Sequence, residues 1–551
     1  MTSEGRNKMM RLSLIACAAM MAGPVRAGEP LVTVDGKCPA EAGAKVTLCA
    51  DGRVLVSATE PISSVRLAWA RRWASGTKYL NDAWERSCGD IRWQAVPKVT
   101  VEPWYAFWRG DETEGVSPWY FLVNDGCRTD GYGVKVQPNA LCCWKVHAEG
   151  YALELDVTAG GRPVRLNGRT LEACTIVTRE GRADETAFAA GRAFCKLMCP
   201  KAKLAKTPVY GYNDWYCAYG KNTATNFLKD AAFVCSLAEG LRNRPYVVMD
   251  DGWQKNAPPV VKAYRDNGPG GSGYGPWNES SAQFGMEMPA FAAKVKALGA
   301  KPGLWYRPYR AWPGAPEGLK ADNDTWCFDP TKPEVKKMVF DDVSRFRAWG
   351  FDLVKIDYLT KDLSGLYGSQ MGDRVFHADM NWADDTRTSA EVMLDLHRTM
   401  RAAAGEDMVI IGCNALNHLV AGLFELQRTG GDTSGWIWKQ TRQNGVNTLA
   451  MRAIQDDVFF AVDADCAGLA REGAIPWTKN RQWIDLLGRS GTPVFISWKR
   501  ELATPEVTAV LKAAFSAASE PRAVAEPLDW RTVGFPSVWR FSDGVAAYDW
   551  D

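Results

Sequence analysis

The sequence predicts a multidomain α/β and β protein: an N-terminal antiparallel β-sandwich over 28–206, a central (β/α)8 TIM-type barrel over 207–520 and a short C-terminal β segment over 521–551. Three observations predict it. The chain, at 551 residues, is too long for one ordinary core. Up to about Lys206 it carries short alternating segments between turn clusters, and from Pro208 strand-like runs alternate with amphipathic helical stretches.

In the first region "RVLVSA", "WYFLV", "YALELDV" and "CTIVT" are separated by Gly, Asn and Asp, the pattern of an antiparallel sandwich. Lys201 to Thr207 reads as the linker. Eight strands follow: 208–212, 246–250, 303–307, 351–357, 408–412, 426–430, 458–462 and 493–497. Helical stretches such as 333–349, 390–404 and 480–488 lie between them, and eight β/α units in about 300 residues is barrel size. A doubly wound open sheet is the alternative, but no Gly-rich phosphate fingerprint follows the first strand. The tail "SVWRFSDGVAAYDWD" is again strand-like, the start of a β-domain that is either very small or cut short.

Composition narrows the function. Hydrophobic residues make up 46% and charged ones 24%; 66 basic against 64 acidic residues give a net charge of +2, with no basic block. Nothing attracts a nucleic-acid backbone or an anionic membrane. The 24 Trp favour carbohydrate weakly, because indoles fill large cores as well as stacking on sugars. At the N-terminus Arg6, Lys8 and Arg11, the apolar run Leu12 to Gly23 and Val25-Arg26-Ala27 read as a secretory signal over 1–27. Leu14-Ile15-Ala16-Cys17 resembles a lipoprotein box, but the apolar stretch before Cys17 is short for one. No second apolar stretch reaches spanning length, so no stable membrane insertion is expected. Export permits disulfides. The paired Cys142 and Cys143, and Cys195 and Cys199, lack zinc-site spacing, and the chain has only 4 His, so no metal site is expected.

Reactive side chains of such a barrel collect at the C-terminal strand ends. Those ends offer Asp250 and Asp251, Arg307, Lys355 and Asp357, Cys413 and Asn414, Arg428 and Asp432, then Asp463 and Asp465. Lys355 and Asp357 are two apart on a strand and share a face. A lysine there favours an ionised carboxylate, as a nucleophile at an anomeric carbon requires, although a structural ion pair fits the same spacing. The partner carboxylate must stay protonated to serve the leaving oxygen. Asp432, in the turn-rich "RTGGDTSGW", fits if Arg428 points away from it; otherwise Asp432 is an N-cap of a following helix.

From roughly Gly131 to Ser497 the chain resembles the α-galactosidase clan, glycoside hydrolase families 27 and 36. "VYGYNDWYCAYG" is similar to the first-strand motif whose Trp, here Trp215, lines the sugar subsite. "YVVMDDGWQ" resembles the motif whose aspartates, here Asp250 and Asp251, hold galactose O4 and O6. "FDLVKIDYLT" resembles the motif with the lysine and nucleophile, Lys355 and Asp357. "RTGGD" resembles the motif with the O2-binding arginine and the acid/base, Arg428 and Asp432. Four short motifs in order are specific where any one is weak, and an N-terminal β-domain is similar to family 36. The sequence also departs from the pattern. "GCNAL" puts Cys413 and Asn414 where the 2-position of the sugar is read, "YRPY" brings Arg307 toward the site without an assigned role, and "DADC" lacks the proline of a seventh-strand motif, so its aspartates read as structural.

The resemblance implies a retaining α-galactosidase with a carbohydrate substrate and no cofactor, and the N-terminal signal implies export, periplasmic or secreted. The alternatives are an α-N-acetylgalactosaminidase, a galactosyl-transferring enzyme or a β-L-arabinopyranosidase of the same clan, or a non-catalytic carbohydrate-binding relic. Export opposes a synthase using a cytosolic donor, and the paired aspartates oppose a sugar lacking the C6 hydroxymethyl.

Overall fold

The computed structural model describes residues 28–96, 115–255, 275–322, 324–366, 368–377, 380–469 and 473–551. The expected leader over 1–27, with Cys17, lies outside them.

The N-terminal region folds as two antiparallel sheets. One orders its strands Leu31–Val34, Ser64–Ala70, Gly150–Asp156, Leu141–His147, Gly115–Pro118. The other runs Ala44–Leu48, Arg53–Ala58, Leu171–Arg179, Thr129–Val134, Tyr120–Asn124, Lys78–Leu80, Trp93–Ala95. Alternation drives the packing: in Arg53–Ala58 the side chains of Val54 and Val56 are fully buried between more exposed neighbours. The sheets meet through aromatic rings, Phe121 against Trp144 at 5.6 Å and Tyr132 against Tyr151 at 4.9 Å. All four segments expected here as strands are strands.

A purely β reading of this region needs correction, because Ala187–Met198 is a helix. Thr186 caps it by accepting from the Ala189 N–H, and Phe188, Phe194 and Met198 point inward. It lies against the strand Thr129–Val134, whose glycines admit it: a Cβ on Gly131 would sit 2.4 Å from the Phe194 ring.

After the irregular segment 201–207 the chain enters a curled parallel sheet. Its strand order is Ala461–Asp463, Leu426–Arg428, Val409–Gly412, Leu353–Ile356, Lys301–Tyr306, Tyr246–Met249, Tyr210–Asn213, Val494–Trp498, Cys466–Leu469. There are nine strands rather than the expected eight. The seventh falls later than 458–462 and splits, because Asp465 adopts φ +70° and breaks the extended run. Its first half pairs with the sixth strand (Arg428 opposite Asp463) and its second with the last (Cys466 opposite Phe495). Both edges of the sheet therefore belong to one segment, 461–469. Outside pack amphipathic helices, among them Pro333–Ala348, Ser389–Ala404 and Trp477–Arg489, close to the expected stretches. Thr388 and Glu391 close a capping box on the second of these.

The tail forms a three-stranded antiparallel sheet of Glu526–Pro527, Val538–Phe541 and Gly544–Ala547. Tyr548 Oη donates to Asp485 Oδ2 at 2.7 Å and ties this sheet to the helix Trp477–Arg489.

One N-terminal segment reaches the C-terminal rim of the curled sheet. Ser87 N–H donates to Thr429 O, and Gly431 N–H donates back to Ser87 O, each at 2.9 Å. Arg452, fully buried, pins the same segment through Asp82 Oδ1 (2.9 Å) and the carbonyls of Glu85 (2.7 Å) and Ala83 (3.0 Å). The cysteines among the described residues form no disulfides, and no helix among those residues is long and apolar enough to cross a membrane.

Candidate active site

The C-terminal strand ends surround a cleft enclosing about 410 Å³, open solvent included, and lined by Trp215, Asp250, Asp251, Lys355, Asp357, Cys413, Arg428 and Asp432 together with Arg86, Tyr216, Trp305 and Tyr358. The first eight of these were expected from the sequence.

Asp357 follows the fourth strand directly. Its Oδ1 accepts from the Tyr358 backbone N–H at 2.8 Å and its Oδ2 from Trp305 Nε1 at 3.0 Å. Tyr358 itself is left-handed, φ +57°, a conformation that costs an L-residue about 1–2 kcal/mol. The expected pairing of Lys355 with Asp357 needs correction. Lys355 Nζ donates to Asp250 Oδ2 at 2.7 Å across to the second strand, so its direct partner is the sugar-binding candidate.

Asp250 also accepts from Asn213 Nδ2 at 2.8 Å and from the Asp251 N–H at 2.9 Å. Behind it Asp214 Oδ1 accepts from the Asp250 N–H at 2.7 Å. Asp251 accepts from Gln254 Nε2 at 2.7 Å. Burial pushes the Asp251 carboxyl up to about 7, with the Asp250 charge adding and Gln254 and Arg307 opposing. Burial likewise raises Asp214, to about 8, again with help from Asp250. Near neutrality this corner thus holds carboxyls able to donate as well as accept.

Asp432 is half-exposed, its side chain 47% accessible. No helix starts at it, so it is not an N-cap: the next helix, Trp438–Thr441, has Ile437 in that position. Arg428 does not point away from it, as an uncharged acid would require. Arg428 Nη2 reaches Asp432 Oδ1 at 3.0 Å, and Arg86 Nη1 reaches the same oxygen at 3.2 Å. Desolvation raises the Asp432 pKa, but the cations Arg428, Arg86 and Lys355 outweigh it and hold the group below the ordinary carboxylate value. Arg428 is itself oriented from behind by Asp465 Oδ2 at 2.8 Å. That oxygen also accepts from Tyr216 Oη, from Thr433 N–H at 2.8 Å and from Thr433 Oγ1 at 2.9 Å. Asp465 is structural, as "DADC" suggested, yet it organises the site.

Two expected residues lie off the cleft wall. Arg307 is fully buried, forks onto Asp362 at 2.8 and 2.6 Å and packs 4.0 Å from the Tyr358 ring. Asn414 donates to Glu85 Oε1 at 3.0 Å. Both sit at strand ends as read, but Asp362 and Glu85 draw them aside. Of the wall residues the sequence reading missed, Trp305, Tyr216 and Tyr358 adjoin motifs already singled out and were within reach. Arg86 had no local signal, since it comes from the N-terminal region through the Ser87 pairing. Among the described residues no group of three or more His, Cys, Asp or Glu is placed to hold a metal ion.

These antiparallel sheets followed by a curled parallel sheet have the fold of the family 36 α-galactosidases. No family model matches the sequence. The chain is similar to the α-galactosidase of Thermus thermophilus, solved with p-nitrophenyl α-D-galactopyranoside, at TM-score 0.59 and 15% identity, covering 94% of this chain and 96% of that one. It is also similar to two family 36 α-galactosidases of Geobacillus stearothermophilus. For AgaA the TM-score is 0.55 at 12% identity, covering 95% and 76% of the two chains. For AgaB it is 0.51 at 12%, covering 89% and 68%. The resemblance read from four short motifs thus returns as a likeness of fold across nearly the whole chain.

Proposed function

We propose that this protein is an exported retaining glycoside hydrolase that releases terminal α-linked galactose, and that its curled sheet is a (β/α)8 barrel with a broken seventh strand. The observation carrying the reading is the pair of carboxylates on one cleft: Asp357, held on both oxygens by N–H donors, and Asp432, on a different strand end and open to solvent. Asp357 attacks C1 while Asp432 protonates the departing oxygen; Asp432 then deprotonates the water that opens the β-linked galactosyl-enzyme. For Asp432 to gain its proton, an arriving sugar hydroxyl must compete for Arg428, which keeps its second anchor on Asp465 meanwhile. Asp250 and Asp251 receive O4 and O6, with Lys355 holding Asp250 in place.

The placement of Asn414 supports galactose over N-acetylgalactosamine. With its amide turned to Glu85, the 2-position is left to Cys413 and Arg428, neither of which offers an acetamido group a matched donor and acceptor.

The test is a pair of aryl α-glycosides. Buried carboxyls built to meet hydroxyls reject analogues that leave them unpaired, often by ~10⁴, so the galactoside should be turned over far faster than the glucoside. Proton NMR during turnover should show α-galactose first. Comparable rates on both sugars refute the specificity; β-galactose appearing first refutes the mechanism.

A further inference from the structure

If Asp432 delivers the leaving-group proton, the sugar that leaves must lie against it, on its exposed side. Four residues further on the chain places Trp436, and it does so under constraint. Thr433 is fully buried and anchored on Asp465. Ser434 and Gly435 then turn through φ +48° and +70°. A Cβ on Gly435 would lie 2.6 Å from the carbonyl carbon of Gly468, so two glycine backbones meet there and the turn has no room to relax. Left-handed residues in sequence mark a direction the fold enforces.

That direction brings the Trp436 indole N–H to Tyr219 Oη at 2.8 Å. Tyr219 is itself left-handed, φ +45°, at the end of the short helix Trp215–Ala218, and its ring lies 5.3 Å from Trp215 on the cleft wall. The helix and the loop share one anchor, because Tyr216 and Thr433 both bond Asp465 Oδ2. A run of aromatic rings therefore leads from Trp215 on the cleft wall through Tyr219 to Trp436, the last two half-exposed. The hydrogen bond satisfies the polar edges of these two rings and fixes their orientation, and broad apolar faces are what the C–H face of a pyranose stacks on.

We propose that Trp436 and Tyr219 form a stacking subsite for the sugar that carries the galactose, and so set how strongly the leaving sugar contributes to turnover. The inference rests on the hydrolase reading above. The test compares melibiose, in which the leaving group is glucose, with α-galactosyl fluoride, which has no leaving sugar. In Trp436→Ala the ratio of kcat/KM for melibiose over the fluoride should fall about tenfold, the size of one lost aromatic contact. Tyr219→Phe, which keeps the ring and removes the hydroxyl holding the indole, should lower the ratio about threefold in a protein whose melting curve matches the unmodified chain. An unchanged ratio in both variants overturns the subsite. Failure of the unmodified protein to release fluoride overturns the hydrolase reading, and the subsite with it.

Discussion

Replacing Arg86 by Met should move the pH dependence of catalysis upward. Arg86 Nη1 lies 3.2 Å from Asp432 Oδ1; the carboxylate is 47% exposed and the guanidinium 6%, so the dielectric of water gives the smallest attraction to expect before screening. At that distance a unit charge pair interacts by about 1.3 kcal/mol, equivalent to about one pH unit, and screening and side-chain motion trim it. Arg428 and Lys355 also face Asp432 and remain, so its pKa should rise while the group keeps cationic surroundings. With Asp432 as the proposed proton donor, kcat/KM on melibiose should decline on the basic side, and removing one cation should shift that decline to higher pH. The assay is the profile of log kcat/KM for melibiose between pH 4 and 8 in both proteins. α-Galactosyl fluoride serves as the internal control, because fluoride departs without a proton from Asp432 and its profile should not move. A basic limb that stays in place, or moves to lower pH, refutes the assignment of Asp432 as the acid restrained by Arg86.

The two carboxylates should also separate by chemical rescue: with azide, Asp357→Ala should give β-galactosyl azide and Asp432→Ala the α-anomer, identified by NMR, and a β product from Asp432→Ala contradicts the roles. Stability should fall as pH rises. Asp214 and Asp251 have pKa values raised to about 8 and about 7 in the folded protein, so their contribution is complete below the ordinary carboxylate value, near 3.8, and is lost as pH rises through 7 to 8. Melting temperature measured from pH 4 to 8.5 should decline toward the alkaline end, and Asp214→Asn should flatten the decline; a melting temperature that climbs over this range contradicts the burial argument.

Strand positions were legible because the parallel strands are apolar runs of a few residues between turn signals. "FDLVKID" contains Leu353–Ile356 and "MVIIG" contains Val409–Gly412. The seventh strand was misplaced because "VFFAV" is as buried as a strand without being one: Val458, Phe459 and Phe460 pack in the core ahead of it. The helix Ala187–Met198 had a signal, Thr186 as cap followed by Phe188, Gly191, Phe194 and Met198 inward at helical spacing, but the surrounding β texture masked it. In the site, residues at fixed offsets within a motif were readable, since spacing on a strand dictates direction. Partnerships between distant segments were not. Lys355 choosing Asp250, Arg428 staying on Asp432, Glu85 capturing Asn414 and Arg86 arriving from the N-terminal region all depend on which loops meet in three dimensions.

The break within 461–469 works as a clasp between the two edges of the curled sheet. Elsewhere neighbouring strands are joined by ladders of hydrogen bonds, which share any displacement among several residues. Between the sixth strand and the last there is no ladder among the described residues, and continuity passes through the backbone of Ala464 and Asp465 and through Thr433 Oγ1, which donates to Cys466 O at 2.8 Å. The carboxylate at that clasp grips an arginine and a threonine from the sixth-strand side and a tyrosine from the first. A shift of that one residue is therefore passed to both sides of the cleft at once, giving the arginine beside the acid and the aromatic wall a common mechanical reference. Changes in the outer helices reach the chemistry through many softened steps; a change at 465 reaches it in one.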